Sequence, residues 1–288
     1  TGQETIKGRP LAGLALLWLY GRVVPFYEGL LPDVLIALID FAFLPILAYQ
    51  VSRPIVQAKQ HRNLIFIGIV LLLSLGNGLI HSEILDFQKN TAAMGIQIIM
   101  ATIIVLILII AGRVFPFFTH RGLSAALVVR NPAVDAVAIA SAVLVFDLQI
   151  FGVTGFALAS VALIAAISNL VRVHGWHVQK IWYVPLLWVL YTGYGWLILG
   201  FFLTVLSAYA VVLPSLAIHA FTIGGIGVLT VGMMARVSLG HTGRAMRASN
   251  TIVIAFVLLN LAALFRVLLP IAVPAWYGSL VYISIWLW

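Results

Sequence analysis

The sequence predicts an all-α, polytopic transmembrane helical bundle, a single integral membrane domain over residues 1–288 with about ten spans. Three observations predict it. First, 63% of the residues are apolar and 8% charged, whereas a soluble domain carries about 25% charge to cover its surface. Second, the apolar residues form long runs, such as Leu64 to Leu75 and Ile96 to Gly112. These approach the ~20 residues a helix needs to cross ~30 Å of hydrocarbon, and they lack the short alternating segments of an outer-membrane barrel. Third, the basic residues recur in alternate loops once the runs are laid out in order.

The first apolar segment, Leu11 to Val24, is short. The second, Leu30 to Val51, carries Asp40 near its middle and Pro45 five residues on. The third, Leu64 to Ile84, places Asn77 and His81 towards its end, and the fourth runs from Thr91 to Gly112. The fifth, Pro132 to Ile150, is announced by Asn131-Pro132, an N-cap followed by proline at the first helical position. That puts Asp135 beside the positive helix end, where a carboxylate is favoured. Val153 to Val173 and Tyr183 to Leu206 follow. The eighth, Leu213 to Val237, is rich in small residues that permit close helix contact. Thr251 to Leu269 and Ala275 to the end complete the set.

Alternating the loops between two sides collects Lys7, Arg9, Arg53, Lys59, Arg62, Arg113, Arg121, Arg130, Arg172, Lys180, Arg236, Arg244 and Arg247 on one of them. That is 13 of the 16 Lys and Arg residues, leaving Arg22, Lys89 and Arg266 for the other. The positive-inside rule makes the rich side cytoplasmic, with both chain ends on it. Glu28, Asp33, Glu83, Asp86 and Asp147 fall on the opposite side. The net charge of +8 is thereby explained by topology and gives no reason to expect nucleic acid as a partner; the partner is the lipid bilayer. Trp182, Tyr183, Trp276 and Tyr277 fit an interfacial aromatic belt. With no cysteine, thiolate zinc sites and Cys-ligated iron–sulfur clusters are excluded. The start at Thr1 and the end inside an apolar run read as an excerpt of a longer protein.

Ionisable groups at membrane depth are costly and mark function by default. His219, just inside the eighth segment, and His81, near the outer end of the third, fall at similar depth towards the outer face. Neutral imidazole ligates haem and copper. The plainer readings are an interfacial imidazole at His81 and a hydrogen-bonded helix contact at His219. Asn77, four residues before His81 on the same helical face, is placed to orient its ring or bind a polar ligand. Asp40 reads equally as a structurally paired acid or as part of a proton relay. His61 and His120 lie in basic loops and read as solvated. His174 and His177 have a chelating spacing, but Arg172 and Lys180 beside them disfavour a cation. Met233-Met234 reads as packing. The eighth segment ends in Arg236 and then Gly240-His241-Thr242-Gly243 before Arg244. That pattern suggests a fixed turn whose N–H groups and arginines hold an anion such as a haem propionate or lipid headgroup, or else an ordinary basic loop.

The run Arg236-Val237-Ser238-Leu239-Gly240-His241-Thr242-Gly243-Arg244, after His219 and a glycine-rich span, resembles the hallmark of the NnrS family. Gly112-Arg113-Val114-Phe115-Pro116 with Phe118-Thr119 follows the same pattern. So do Arg62-Asn63 leading to Asn77 and His81, Asp40 with Pro45, and Pro185-Leu186-Leu187-Trp188 with Gly193-Tyr194. The resemblance implies a bacterial inner-membrane protein of about twelve spans, with haem and copper as cofactors, serving the nitric oxide response or protection from nitrosative stress, with nitric oxide as ligand. It also implies that two N-terminal spans with a histidine-rich stretch are absent from this chain. His81 and His219 are then the candidate metal ligands. Asn77, Arg113, Arg236, His241 and Arg244 are candidate cofactor-binding or loop-fixing residues, and Asp40 a buried acid. The alternative is a transporter or channel using Asp40 and the intramembrane histidines, against which the lack of an inverted repeat counts.

Overall fold

The computed structural model describes residues 6–26, 29, 31–123 and 128–288, without the side chain of Arg62. Thr1, Glu28 and Leu30 lie outside the described residues. Among the described residues, ten helices account for the predicted apolar segments. They are α1 Arg9–Val23, α2 Asp33–Gln57, α3 Leu64–Ile84, α4 Thr91–Gly122 and α5 Pro132–Ile150, then α6 Gly155–Trp176, α7 Pro185–Ala208, α8 Pro214–His241, α9 Asn250–Ala272 and α10 Tyr277–Leu287. Eight of them, α2 to α9, are long and apolar enough to span a membrane; α1 and α10 are the two shortest, with 15 and 11 residues. No strand occurs among the described residues. The helix is the favoured solution because it satisfies its own backbone hydrogen bonds where no water is available. Large aliphatic and aromatic side chains stay exposed along these helices, among them Leu16, Leu38, Leu71, Ile164 and Leu170, as expected where lipid replaces water.

Two boundaries differ from the sequence reading. Helix α4 does not stop at Gly112 but continues to Gly122, so the Gly112–Pro116 motif and Arg113 are helical and not part of a loop. At 1.5 Å per residue its 32 residues reach about 48 Å, longer than the hydrocarbon layer, and its polar last turns emerge beyond the apolar run. Helix α2 begins only after Pro32 and continues through Pro45 and Pro54 to Gln57. Asp40 therefore lies two turns from the helix start, not at its middle.

The chain divides into two compact units, residues 1–103 and 104–288. The first comprises α1 to α3 with the start of α4. The second comprises the remainder of α4 with α5 to α10. Within the second, α7 and α8 are the most enclosed, with 61% and 56% of their apolar windows buried against 28% for α5 and α9. Helix α8 is not uniform. Its residues Ala220–Gly227 form a π-helical segment between Pro214–His219 and Val228–His241. Here Gly224 and Gly225 lie directly under Trp196 and Leu197 of α7, where any Cβ would overlap the side chains. The predicted cap of α5 is present: Asn131 accepts hydrogen bonds from the N–H groups of Ala133 (3.0 Å) and Val134 (3.4 Å).

Candidate functional site

In the first unit the polar residues converge on Asp40. Its Oδ1 accepts from Arg22 Nη2 at 2.9 Å, and its Oδ2 accepts from Asn77 Nδ2 at 3.1 Å and His81 Nε2 at 3.0 Å. One carboxylate thus ties α1, α2 and α3 together. A half-buried acid in an apolar helix needs this, because an unpaired charge out of water is strongly disfavoured. The arrangement also accounts for Arg22, one of the three cations that the sequence assigns to the sparse side. A second, Arg266, donates to the Tyr277 hydroxyl at 2.9 Å and lies over its ring. Asn77 and His81 share Asp40 Oδ2, so it is Asp40 that fixes the His81 ring, while Asn77 supports the carboxylate.

In the second unit the sequence reading missed a larger polar network. Arg172, expected among loop cations, is buried within α6, its side chain 2% exposed. Its Nε donates to Asp135 Oδ1 at 2.5 Å, and its Nη1 donates to the Leu108 carbonyl at 2.8 Å and the Tyr194 hydroxyl at 3.1 Å. Tyr194 in turn donates to Asn169 Oδ1, and Asn169 donates to the Ala165 carbonyl. The guanidinium also lies 4.8 Å over the Trp176 ring. Asp135 is therefore an ion-pair partner as well as a first-turn acid. Residues that carry the family resemblance meet here. Gly112 leaves the space that the guanidinium fills, Phe115 packs against Trp176, Tyr191 and Tyr194, and Thr119 bonds to Tyr191 at 2.8 Å. The available signal was polar residues three apart in apolar helices, Asn169 with Arg172 and Tyr191 with Tyr194, which places each pair on one face.

His219 stands at the last α-helical residue before the π segment. Its Nδ1 donates to the Ser215 carbonyl at 2.5 Å. A carbonyl can only accept, so a proton sits on Nδ1, and in the neutral ring Nε2 keeps its lone pair. Metal-ligating histidines have this arrangement. The imidazole is half-buried, and no hydrogen bond to Nε2 occurs among the described residues. His81 differs, since its Nε2 is already committed to Asp40. The two histidines belong to different units. Among the described residues no group of three or more His, Asp or Glu side chains is arranged to hold a metal ion.

The Arg236–Arg244 stretch also departs from expectation. Residues 236 to 241 are helical, and the chain turns at Thr242 and Gly243, with φ at Gly243 of 66°. Gly243 N–H donates to the Gly240 carbonyl (3.4 Å) and Arg244 N–H to the Leu239 carbonyl (3.0 Å), the pattern that closes a helix on glycine. These N–H groups serve the helix end and do not form an anion cradle. Arg236 is 8% exposed, lies 3.7 Å over the Phe118 ring, and donates weakly to the Leu186 carbonyl at 3.4 Å. His241, Arg244 and Arg113 are exposed. His174 and His177 are exposed as well, and His177 rests against Trp182 and Tyr191.

The family model described as NnrS protein matches residues 1–288, the whole chain. No curated protein and no solved structure matches it.

Proposed function

This chain belongs to the NnrS family, and on that footing we propose that it is a haem-carrying inner-membrane protein of the bacterial nitric oxide response, with the basic loops and both ends of the chain cytoplasmic. The observation that carries the reading is the state of His219. The anchored Nδ1 and the free Nε2 suit an imidazole that would hold a haem iron, and a haem held there would supply a centre able to bind nitric oxide. The backbone carbonyl of Ser215 orients the ring and sets the tautomer. The π segment that begins at the next residue supports the choice, since such interruptions concentrate at functional sites. His81 is the second candidate and would have to ligate through Nδ1, its Nε2 being held by Asp40 in the manner of a carboxylate–histidine pair.

Copper is left out of the proposal, since the described residues gather no group of three or more His, Asp or Glu side chains, and no step is assigned to it. The transporter alternative loses its main group, because both oxygens of Asp40 are engaged by Arg22, Asn77 and His81. These three bonds favour the structural reading of Asp40.

An optical spectrum of the purified protein, expressed with adequate haem, tests the reading. A Soret band that disappears in His219→Ala and persists in His81→Ala is expected. Absence of a Soret band in the wild type, or an unchanged spectrum in His219→Ala, refutes it. A band that shifts on adding nitric oxide anaerobically would support the ligand assignment.

A further inference from the structure

Two adjoining cavities lie between α4 and α8 in the second unit. The first, of about 430 Å³, lies where α4 and α8 end and α7 begins. It is lined by Phe118, Arg121, Leu186, Arg236, His241 and Met246 among others. Its described lining holds two guanidinium groups and an imidazole but no carboxylate. Arg236 is more than nine-tenths buried, and its Nε has no hydrogen-bond partner. An N–H of a buried guanidinium left without an acceptor is costly, and an anion beside this arginine would offset that cost.

The second cavity, of about 460 Å³, has Val237 in common with the first. Ile107, Ile110, Val114, Met233 and Met234 line it, and its polar groups are confined to Thr230 and Ser238. From Arg121 back to Ile107 the two cavities follow α4 for about 21 Å at 1.5 Å per residue. That is half of a ~40–45 Å bilayer counted with its headgroups. A cationic pocket at one end of an apolar groove one leaflet deep is complementary to a single kind of molecule.

We propose that this α4–α8 cleft binds an acidic phospholipid, its phosphate on Arg236 and Arg121 and one acyl chain along the groove from Val237 to Ile107. A free phosphate would satisfy the guanidinium but leave the groove empty, and a zwitterionic lipid would place a second positive charge beside two arginines. Bidentate arginine–phosphate geometry gives the headgroup its specificity, and the apolar groove supplies the hydrophobic term. The site does not depend on haem.

The test uses the full chain purified in a mild detergent. Native mass spectrometry is expected to show one retained acidic phospholipid, lost in Arg121→Gln and in Thr230→Trp. Arg121 and Thr230 are both exposed, so these variants spare the core even where Arg236→Gln fails to fold. The delipidated protein is then titrated with short-chain phosphatidylglycerol, phosphatidylcholine of the same chains, or inorganic phosphate, reading the melting temperature by tryptophan fluorescence. Phosphatidylglycerol is expected to protect at concentrations about tenfold below phosphatidylcholine, the scale of one charge-assisted hydrogen bond, and phosphate alone should not protect. Equal protection by the two lipids overturns the proposal. So does protection by phosphate alone, or unchanged phosphatidylglycerol binding in Thr230→Trp.

Discussion

Replacing Gly112 by alanine sets two effects of opposite sign against each other. On helix propensity alone, alanine is favoured over glycine by about 1 kcal/mol. The new Cβ, however, would lie 2.1 Å from Nη2 of Arg172, and reaching ordinary contact at 3.4 Å requires the guanidinium to retreat by about 1.3 Å. A flexible arginine would do this at little cost, but this one is held by Asp135, the Leu108 carbonyl and Tyr194. Stretching a 2.8 Å bond by that much takes it beyond hydrogen-bonding distance, and each hydrogen bond to a charged group is worth about 1.5–3 kcal/mol. Gly112→Ala should therefore destabilise the protein by about 0.5–2 kcal/mol after the propensity gain, and by more if a second bond breaks. The assay is reversible unfolding in mixed micelles titrated with a denaturing detergent, followed by the fluorescence of the eight tryptophans. Arg172→Met provides the control. It should cost about 3–5 kcal/mol by breaking the buried pair, Asp135 keeping only its longer 3.4 Å contact with Arg130, but in that background Gly112→Ala should be neutral or stabilising by up to ~1 kcal/mol. The same penalty in both backgrounds, or a stabilising Gly112→Ala in the wild type, would refute the idea that the glycine exists to admit the guanidinium.

Other perturbations follow from the same geometry. Asp40→Ala leaves Asn77 and His81 without their acceptor and should cost about 2–4 kcal/mol. Arg22→Gln should cost no more than ~1 kcal/mol, because the Arg22 side chain is 59% exposed and such pairs are weak; thermal melts of the two variants would show the order. Tyr194→Phe deprives both Arg172 and Asn169 of a partner and should lower stability by about 1–3 kcal/mol, while Tyr183→Phe, at an exposed ring, should leave the melting temperature unchanged. Gly243→Ala meets open space but a φ of 66°, so it should cost about 1 kcal/mol through the helix end alone, without altering the optical spectrum.

The parts legible in the sequence were those set by the bilayer. A run such as Leu64 to Leu75 permits one reading, and Asn131-Pro132 marks a helix start whatever surrounds it. The ends were less legible where a helix outlasts its apolar run. Helix α4 continues past Gly112 because Arg113 and His120 are compatible with a helix at a wet interface, and an apolar-run criterion stops at the first of them. Arg172 was read as a loop cation for the same reason: its neighbours His174 and Lys180 are those of a basic loop, and only the packing of α4, α5 and α7 around it shows that it is buried. Asp40 was recognisable as an acid needing a partner, but its partners come from positions 18 to 41 residues away and have no local signature. His219 could be singled out by its depth in the membrane. The free Nε2 could not, because it depends on a ring orientation fixed by the Ser215 carbonyl.

The π segment at Ala220–Gly227 has a meaning for how this chain can change over generations. A π turn is what an α-helix becomes when it absorbs a surplus residue, and the wide turn takes up that residue locally. In an uninterrupted α-helix one residue gained or lost turns everything downstream by about 100°. The π segment can therefore take up a change of one residue and leave Arg236 facing Phe118, whereas the same change between the segment and Arg236 would rotate the arginine off that ring. The lineage can thus vary the length of α8 at one place that it cannot vary elsewhere.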